Sequence, residues 1–62
     1  MSYLSNSEFL TVQEVAEFLR LSVLTIYKYI REEKLQAIEF GGHYRVQRDS
    51  LNEFIELHRV GH

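Results

Sequence analysis

Side chains that suit a phosphate anion concentrate in the middle of this 62-residue chain. Residues 28–48 hold five lysines and arginines against three glutamates, a net charge of +2, whereas residues 1–27 and 49–62 each carry −2. The candidate phosphate ligands are Thr25, Tyr27, Lys28, Arg31, His43, Arg45 and Arg48. Cations and hydroxyl groups in such a segment bind a polyanion by charge and hydrogen bonding. The chemistry expected here is therefore anion binding, at a modest strength because the whole chain carries −2.

Catalytic chemistry is poorly supported by the residues present. The chain has no cysteine, which excludes a thiol nucleophile, disulfides and thiolate metal sites. A Ser–His–Asp triad needs a cleft that a chain this short hardly forms. His58 and His62 have the spacing of a metal pair on a helix, but Gly61 and the terminal position disfavour a helix there. We expect no enzyme activity, no cofactor and no metal.

Composition indicates one small folded domain. Hydrophobic residues make up 45% of the chain and eight residues are aromatic, enough for a compact core. No apolar stretch approaches the roughly 20 residues that span a bilayer, so no membrane partner is expected. The absence of cysteine suits a reducing cytoplasm. We expect a cytoplasmic protein.

Two short amphipathic helices separated by a tight break are predicted between Leu10 and Leu35. Thr11 and Glu14 have the spacing of a capping box, and Ser22 can cap the second helix. Ile26 and Ile30 belong to an apolar stripe on that second helix, and we expect both in the core. Two helices joined this tightly are typical of a helix-turn-helix, whose second helix enters a DNA major groove.

A β-hairpin is predicted after the second helix. Residues 36–40 and 43–47 alternate in polarity, and Gly41-Gly42 between them is a turn signal. We expect the apolar residues of both strands, Ile38, Phe40, Tyr44 and Val46, to face the helices. This arrangement would leave His43 and Arg45 on the outer face, next to the glycine turn.

A last helix is predicted from Asp49 or Ser50, with Ser50 and Glu53 as a second capping box. The order helix-helix-hairpin-helix gives a mainly α fold with a small β-hairpin, a winged helix-turn-helix. The predicted organisation is a flexible N-terminal arm at residues 1–8, the winged helix-turn-helix at 9–57 and a frayed tail at 58–62.

Five groups of residues, taken in their order and spacing, resemble a known family. They are Leu10-Thr11-Val12-x-Glu14-Val15-Ala16-x-Phe18-Leu19, Ser22-x-x-Thr25-Ile26-Tyr27-Lys28-x-Ile30, Leu35, Gly41-Gly42-His43-Tyr44-Arg45-Val46, and Leu51-x-x-Phe54-Ile55. This pattern is similar to the excisionase-type helix-turn-helix family, a winged relative of the MerR-type DNA-binding domain. The resemblance covers about residues 9–57.

The resemblance implies a double-stranded DNA partner. In that family the second helix reads the major groove and the wing reaches a neighbouring minor groove. Thr25, Tyr27 and Lys28 match its DNA-contacting positions, and Arg45 matches a wing position facing the backbone. Members act as recombination directionality factors of phages and mobile elements, or as small regulators of transcription. The resemblance thus implies a bacterial or phage-encoded, nucleoid-associated protein, a homo-oligomer or cooperative array on DNA, and a recombinase as a further partner.

The residues of the second helix leave alternatives open. Lys28 and Arg31 either bind DNA phosphates or form an ordinary solvated face, and Arg31 can instead pair on the surface with Glu32 nearby. Leu24 contacts a thymine methyl group, packs on a neighbouring protein, or is a single exposed leucine without a role. A second function class is therefore a protein-interaction adapter that uses Leu24 and its neighbours as a docking face.

The remaining candidates have structural explanations as well. Thr25 suits either a phosphate oxygen or an ordinary first-turn helix position. The ring of Tyr27 can pack in the core while its hydroxyl group reaches a phosphate. His43 flanks the turn, and Arg48 either holds a phosphate or solvates a loop. Arg45 is the strongest wing candidate, because a charged strand residue that faces away from a small core rarely has another task.

Overall fold

The computed structural model describes residues 8–61, and all but the last residue of the predicted arm at 1–8 therefore lies outside the described residues. The elements are β1 (Phe9–Thr11), α1 (Val12–Leu19), α2 (Val23–Arg31), β2 (Ile38–Phe40), β3 (His43–Gln47) and α3 (Arg48–Leu57). The helix-helix-hairpin-helix order agrees with the prediction, whereas β1 was not predicted. In residues 8–61 no helix combines the length and the apolar character needed to cross a membrane.

Hydrogen bonds from polar side chains define the start of both N-terminal helices. The Thr11 N–H donates to Glu14 Oε1 at 2.9 Å, and the Glu14 N–H donates to Thr11 Oγ1 at 3.0 Å. This is the predicted capping box, which satisfies two backbone donors that lack a partner within the helix. The Thr25 N–H donates to Ser22 Oγ at 3.1 Å, which confirms Ser22 as the cap of α2.

The break between α1 and α2 is only three residues long. Arg20 ends α1 in the left-handed region, with φ of 60°, and the Leu21 N–H donates to the Ala16 carbonyl oxygen at 2.9 Å. This left-handed residue turns the chain sharply away from the helix axis, as is common at helix ends. Ser22 then starts α2 at once, so the turn holds the two helices at a defined angle.

The sheet has three antiparallel strands in the order β1-β3-β2, with β3 in the centre. The predicted two-stranded hairpin was therefore incomplete, because Phe9–Thr11 adds a strand beside β3 with Leu10 opposite Val46. Thr11 is both the last residue of β1 and the cap of α1, so the chain passes from sheet to helix without a loop. A two-stranded hairpin alone is marginal in water, and the added strand stabilises it.

The predicted inward orientation of Ile38 and Phe40 is wrong. The two-residue turn at Gly41-Gly42 pairs Phe40 with His43 and Ile38 with Arg45. Residues directly opposite each other in an antiparallel pair share one face, so Ile38 and Phe40 lie on the face away from the fully buried Val46. Tyr44 and Val46 do face the core, as predicted.

The third helix begins earlier than predicted and without the predicted cap. It starts at Arg48, its cap residue Gln47 makes no side-chain hydrogen bond, and no bond joins Ser50 and Glu53. The Arg48 N–H instead donates to the Glu8 carbonyl oxygen at 2.9 Å. A long-range backbone bond therefore satisfies the N–H group of the first residue of α3.

One apolar core joins every helix to the sheet. Its buried side chains are Val12, Val15, Ala16, Ile26, Leu35, Val46, Leu51 and Phe54. Ile26 is fully buried, as predicted, whereas Ile30 is only partly buried and packs at the edge of this core. The placement of Ile30 was thus only partly right, because α2 contacts the core mainly through Ile26.

Replacing Ile26 with alanine is expected to lower the free energy of unfolding by about 2–5 kcal/mol, through lost burial and the cavity left behind. A chain of this size has roughly 3–9 kcal/mol of stability in total, so the variant should unfold at least in part. Leu24→Ala is the matched control, since Leu24 is 78% exposed on the same helix. Urea unfolding followed by circular dichroism measures both. Equal stability of the two variants would show that a different face of α2 packs against the core.

Candidate nucleic-acid interface

The face of α2 opposite the core carries two cations. Leu24, Lys28 and Arg31 follow one another at spacings of four and three residues, so they lie in one row along the helix. All three side chains are exposed, and Ile26 on the other side is fully buried. We call these three residues the outer row of α2. The row is a convex, cationic surface on a helix that the core holds rigidly.

Within the described residues, the two cations of the outer row have no carboxylate within salt-bridge distance. Glu32, the expected surface partner of Arg31, instead pairs with Lys34, whose Nζ lies 3.3 Å from Glu32 Oε1. Of the two alternatives for Arg31, the surface pair with Glu32 is therefore not the one seen, and Lys28 and Arg31 keep their charge available to an external anion. Charges of this kind attract a polyanion most strongly at low salt.

The N-terminal turn of α2 adds neutral donors beside the outer row. The hydroxyl groups of Ser22 and Thr25 are 2.9 Å apart, and Ser22 Oγ also accepts the Thr25 N–H. When Ser22 donates its proton to Thr25 Oγ1, the Thr25 hydroxyl hydrogen is free to donate outward. The positive end of the helix dipole lies at the same turn and favours an anion there.

Tyr27 links α2 to the hairpin. Its ring packs against Tyr44 of β3, with ring centroids 6.1 Å apart and the planes tilted by 59°. The Tyr27 side chain is half-buried, as expected for a residue with an apolar ring and a polar tip. This aromatic contact places β3 of the hairpin next to α2.

The sheet has an outer face that points away from the helices. The strand register places on it Phe9 and Thr11 from β1, Ile38 and Phe40 from β2, and His43, Arg45 and Gln47 from β3. Across it Phe9 and Phe40 meet edge to face, with ring centroids 5.8 Å apart. Since β3 lies between β1 and β2, these rings reach towards each other over the central strand. This outer sheet face therefore combines apolar, aromatic and cationic side chains.

His43 and Arg45 lie on the outer sheet face as predicted, but Arg45 does not extend freely. Its side chain is half-buried, and its Nη1 donates to the carbonyl oxygen of Tyr44 at 3.0 Å. A guanidinium group has five N–H donors, so this bond leaves others for a ligand. His43 is exposed next to the Gly41-Gly42 turn, where both glycines have positive φ.

Arg48 lies at the junction of β3 and α3 and is already engaged. Its Nη2 donates to the Glu8 carboxylate, and the hydrogen bond and the charge of Glu8 raise the pKa of Arg48 above its ordinary value. The guanidinium therefore stays positive, but an external anion has to compete with Glu8. The candidates thus fall into an α2 group, an outer-sheet group and this separate, paired arginine.

Sequence reasoning missed the aromatic pair on the outer sheet face. From the sequence, Phe9 was assigned to no helix or strand, and Phe40 was predicted to face the core. A signal for Phe40 was present in the sequence, because a two-residue turn fixes His43 as its partner. No local signal marked Phe9. Within residues 8–61, no three histidine or carboxylate side chains lie together in a way that could hold a metal ion.

Comparison with known proteins agrees with this geometry. The sequence model of a family described as "Helix-turn-helix domain" matches residues 9–59, most of the chain. The chain belongs to this helix-turn-helix family. The matched span starts at Phe9, so it includes β1, both helices of the helix-turn-helix, the hairpin and α3.

Two curated relatives of this helix-turn-helix domain come from Mycobacterium tuberculosis, one from strain CDC 1551 / Oshkosh and one from strain H37Rv. Each is named "Putative DNA-binding protein" and is 31% identical over 52 residues, which covers 84% of this chain and 67% of the relative. No solved structure gives a significant match.

Proposed function

We propose that this chain binds double-stranded DNA, with α2 in the major groove. The observation that carries the proposal is the outer row of α2, in which Lys28 and Arg31 have no carboxylate partner among the described residues. In a helix-turn-helix the second helix is the one that lies in the groove. The family match and the printed names of the two relatives support the same partner.

Within this proposal, the side chains of α2 contact two kinds of DNA group, phosphate oxygens and base edges. The N-terminal turn, with the Thr25 hydroxyl, suits a phosphate oxygen at the groove edge, and the Tyr27 hydroxyl suits a second one. Lys28 and Arg31 reach further along the helix, towards phosphates or base edges. Each of these side chains is exposed or half-buried on one side of α2, so all of them can meet one duplex.

The hairpin acts as a wing in this proposal. Arg45 and His43 contact the DNA backbone or the minor groove beside the major groove that α2 occupies. The packing of Tyr27 on Tyr44 supports proximity, since it places β3 next to α2, and His43 and Arg45 flank Tyr44 on the other face of that strand. Arginine is favoured in a narrow minor groove because of the strong negative potential there. Arg48 adds a backbone contact when a phosphate replaces Glu8.

The finer assignment is an excisionase-type, MerR-like winged domain that acts by shaping DNA, in a recombination directionality factor or a small transcription regulator. Its mechanism is positional, without a chemical step. A single module of this kind buries roughly 600–1,000 Å² on DNA, and bending a site costs a few kcal/mol. Several copies in a cooperative array, or a recombinase bound alongside, would supply the binding free energy that one copy lacks for bending the site. Such a role fits a nucleoid-associated protein of a bacterium or phage.

A protein-interaction adapter is the second candidate. The observation that favours it is Leu24, a large apolar side chain 78% exposed at the N-terminal end of the outer row. Titration of a mixed-sequence duplex at several salt concentrations separates the two functions, because only phosphate contacts give a steep loss of affinity with salt. A flat salt dependence would favour the adapter.

Lys28→Ala is expected to weaken duplex binding and to lower the slope of log affinity against log salt by about one unit, since one phosphate contact is lost. Lys34→Ala is the matched control, because Lys34 is paired with Glu32 at 3.3 Å. The thermal midpoint of both variants should stay near that of the parent, as both side chains are exposed. Fluorescence anisotropy measures the affinities. Equal salt slopes for the two variants would remove Lys28 from the interface.

Arg45→Ala is expected to weaken binding to all duplex sequences alike, because a backbone contact carries no base information. Lys28→Ala should in addition change the preferred sequence, because Lys28 also reaches base edges from α2. Selection from a random duplex pool with each variant measures the preference. A changed preference for Arg45→Ala, or chemical shifts of residues 41–46 that do not respond to duplex, would contradict the wing contact.

Glu8→Gln is expected to raise duplex affinity by about twofold to fivefold, because it frees the Arg48 guanidinium from a surface ion pair. Glu56→Gln is the control: it removes the same charge from another surface pair, the one with Arg59. The same gain from both variants would indicate a general charge effect and would leave Arg48 outside the interface.

A further inference from the structure

Leu24 occupies an unusual position for a large apolar side chain. It is the second residue of α2, its side chain is 78% exposed, and it does not belong to the apolar core. It heads the outer row, one helical turn before Lys28 and two turns before Arg31. Its apolar surface therefore lies open to water next to the two cations, where a bound ligand would cover it.

The first turn of a recognition helix is the part that touches base edges. Leu24 lies in that turn, beside Thr25 and the Ser22 cap, where the helix dipole and the hydroxyl groups favour a phosphate. A phosphate contact by Thr25 at the groove edge would fix the position of this turn, and with it the position of Leu24. Of the three residues in the outer row, Leu24 is the one that lies in the first turn of α2.

The edges of the four bases differ in what they offer a leucine. In the major groove thymine alone presents a methyl group, at C5, whereas the groups that distinguish adenine, guanine and cytosine are hydrogen-bond donors and acceptors. A leucine pressed against a donor or acceptor removes water from it and offers no partner in return. Against the thymine methyl group the same leucine buries apolar surface on both sides.

We propose that Leu24 is a specificity-determining residue that selects thymine through its C5 methyl group. This inference rests on the proposed DNA-binding function and names the base that the first turn of α2 reads. Lys28 and Arg31 then supply affinity, and Leu24 supplies discrimination at one position of the site.

The test begins with a duplex selected by the parent protein from a random pool. Each thymine of this duplex is then replaced in turn by deoxyuridine, which removes only the C5 methyl group and keeps base pairing. At one position the replacement is expected to weaken binding about fourfold, the effect of losing one buried methyl group. Leu24→Ala should bind the two duplexes equally at that position. Leu24→Met should retain the difference, because its side chain is also apolar and long.

Leu57→Ala is the matched control, since Leu57 is 74% exposed on α3 and should keep the fourfold difference. The inference is overturned if no thymine position responds to loss of its methyl group, or if Leu24→Ala keeps the response. It is also overturned if Leu24→Ala changes only the cooperativity of binding, which would make Leu24 a protein contact. In all three cases a steep salt dependence would still support DNA binding; its absence would overturn the proposed function as well.

Discussion

The burial of Ile26 fixes the orientation of α2, and the candidate surface depends on that orientation. Ile26 is fully enclosed, together with Val15 of α1 and Val46 of β3, in the one core of the described residues. A helix of nine residues that buries one side must expose the other. The side opposite Ile26 carries Leu24, Lys28 and Arg31. The apolar contact inside thus decides which polar groups can meet a ligand outside.

The caps and connections at the ends of the helices fix how α2 is oriented relative to α1 and the sheet. Thr11 closes β1 and caps α1, while Ser22 follows a left-handed Arg20 and caps α2. Neither connection contains a flexible loop. Tyr27 and Tyr44 then join α2 to the hairpin from the other side. Each of these joints is made of hydrogen bonds or packed rings, and together they connect α2 to α1 and to the sheet.

Charge is distributed unevenly over this frame. The chain as a whole carries −2, yet residues 28–48 carry +2. Carboxylates pair with Lys34, Arg48 and Arg59, so the ion pairs within the described part occupy cations outside the outer row. An acidic remainder lowers the general attraction to polyanions, and contacts at short range then decide where such a protein binds.

Local patterns of the sequence were enough to predict much of the domain. The capping bonds of Thr11 and Ser22 span three residues, the apolar spacing around Ile26 spans one helical turn, and the Gly41-Gly42 turn is a dipeptide signal. These interactions depend on residues close in sequence, so the residue types reveal them. Thr25, Lys28 and Arg31 were placed on α2 for the same reason, and His43 and Arg45 on the hairpin.

Long-range packing decided the rest. β1 forms because Phe9 lies opposite Gln47, and Arg48 is paired because Glu8, 40 residues earlier, reaches it. The polarity of β2 misled the prediction of its faces, since all three of its residues are exposed at a sheet edge that the helices do not cover. Alternation of apolar and polar residues indicates the inner face of a strand only where another element packs on that face. The sequence by itself determined the existence of the helices, the caps of α1 and α2 and the location of the cations. The tertiary structure alone decided the third strand, the start of α3, the outer sheet face and which cations are paired, because these depend on partners that only folding brings together.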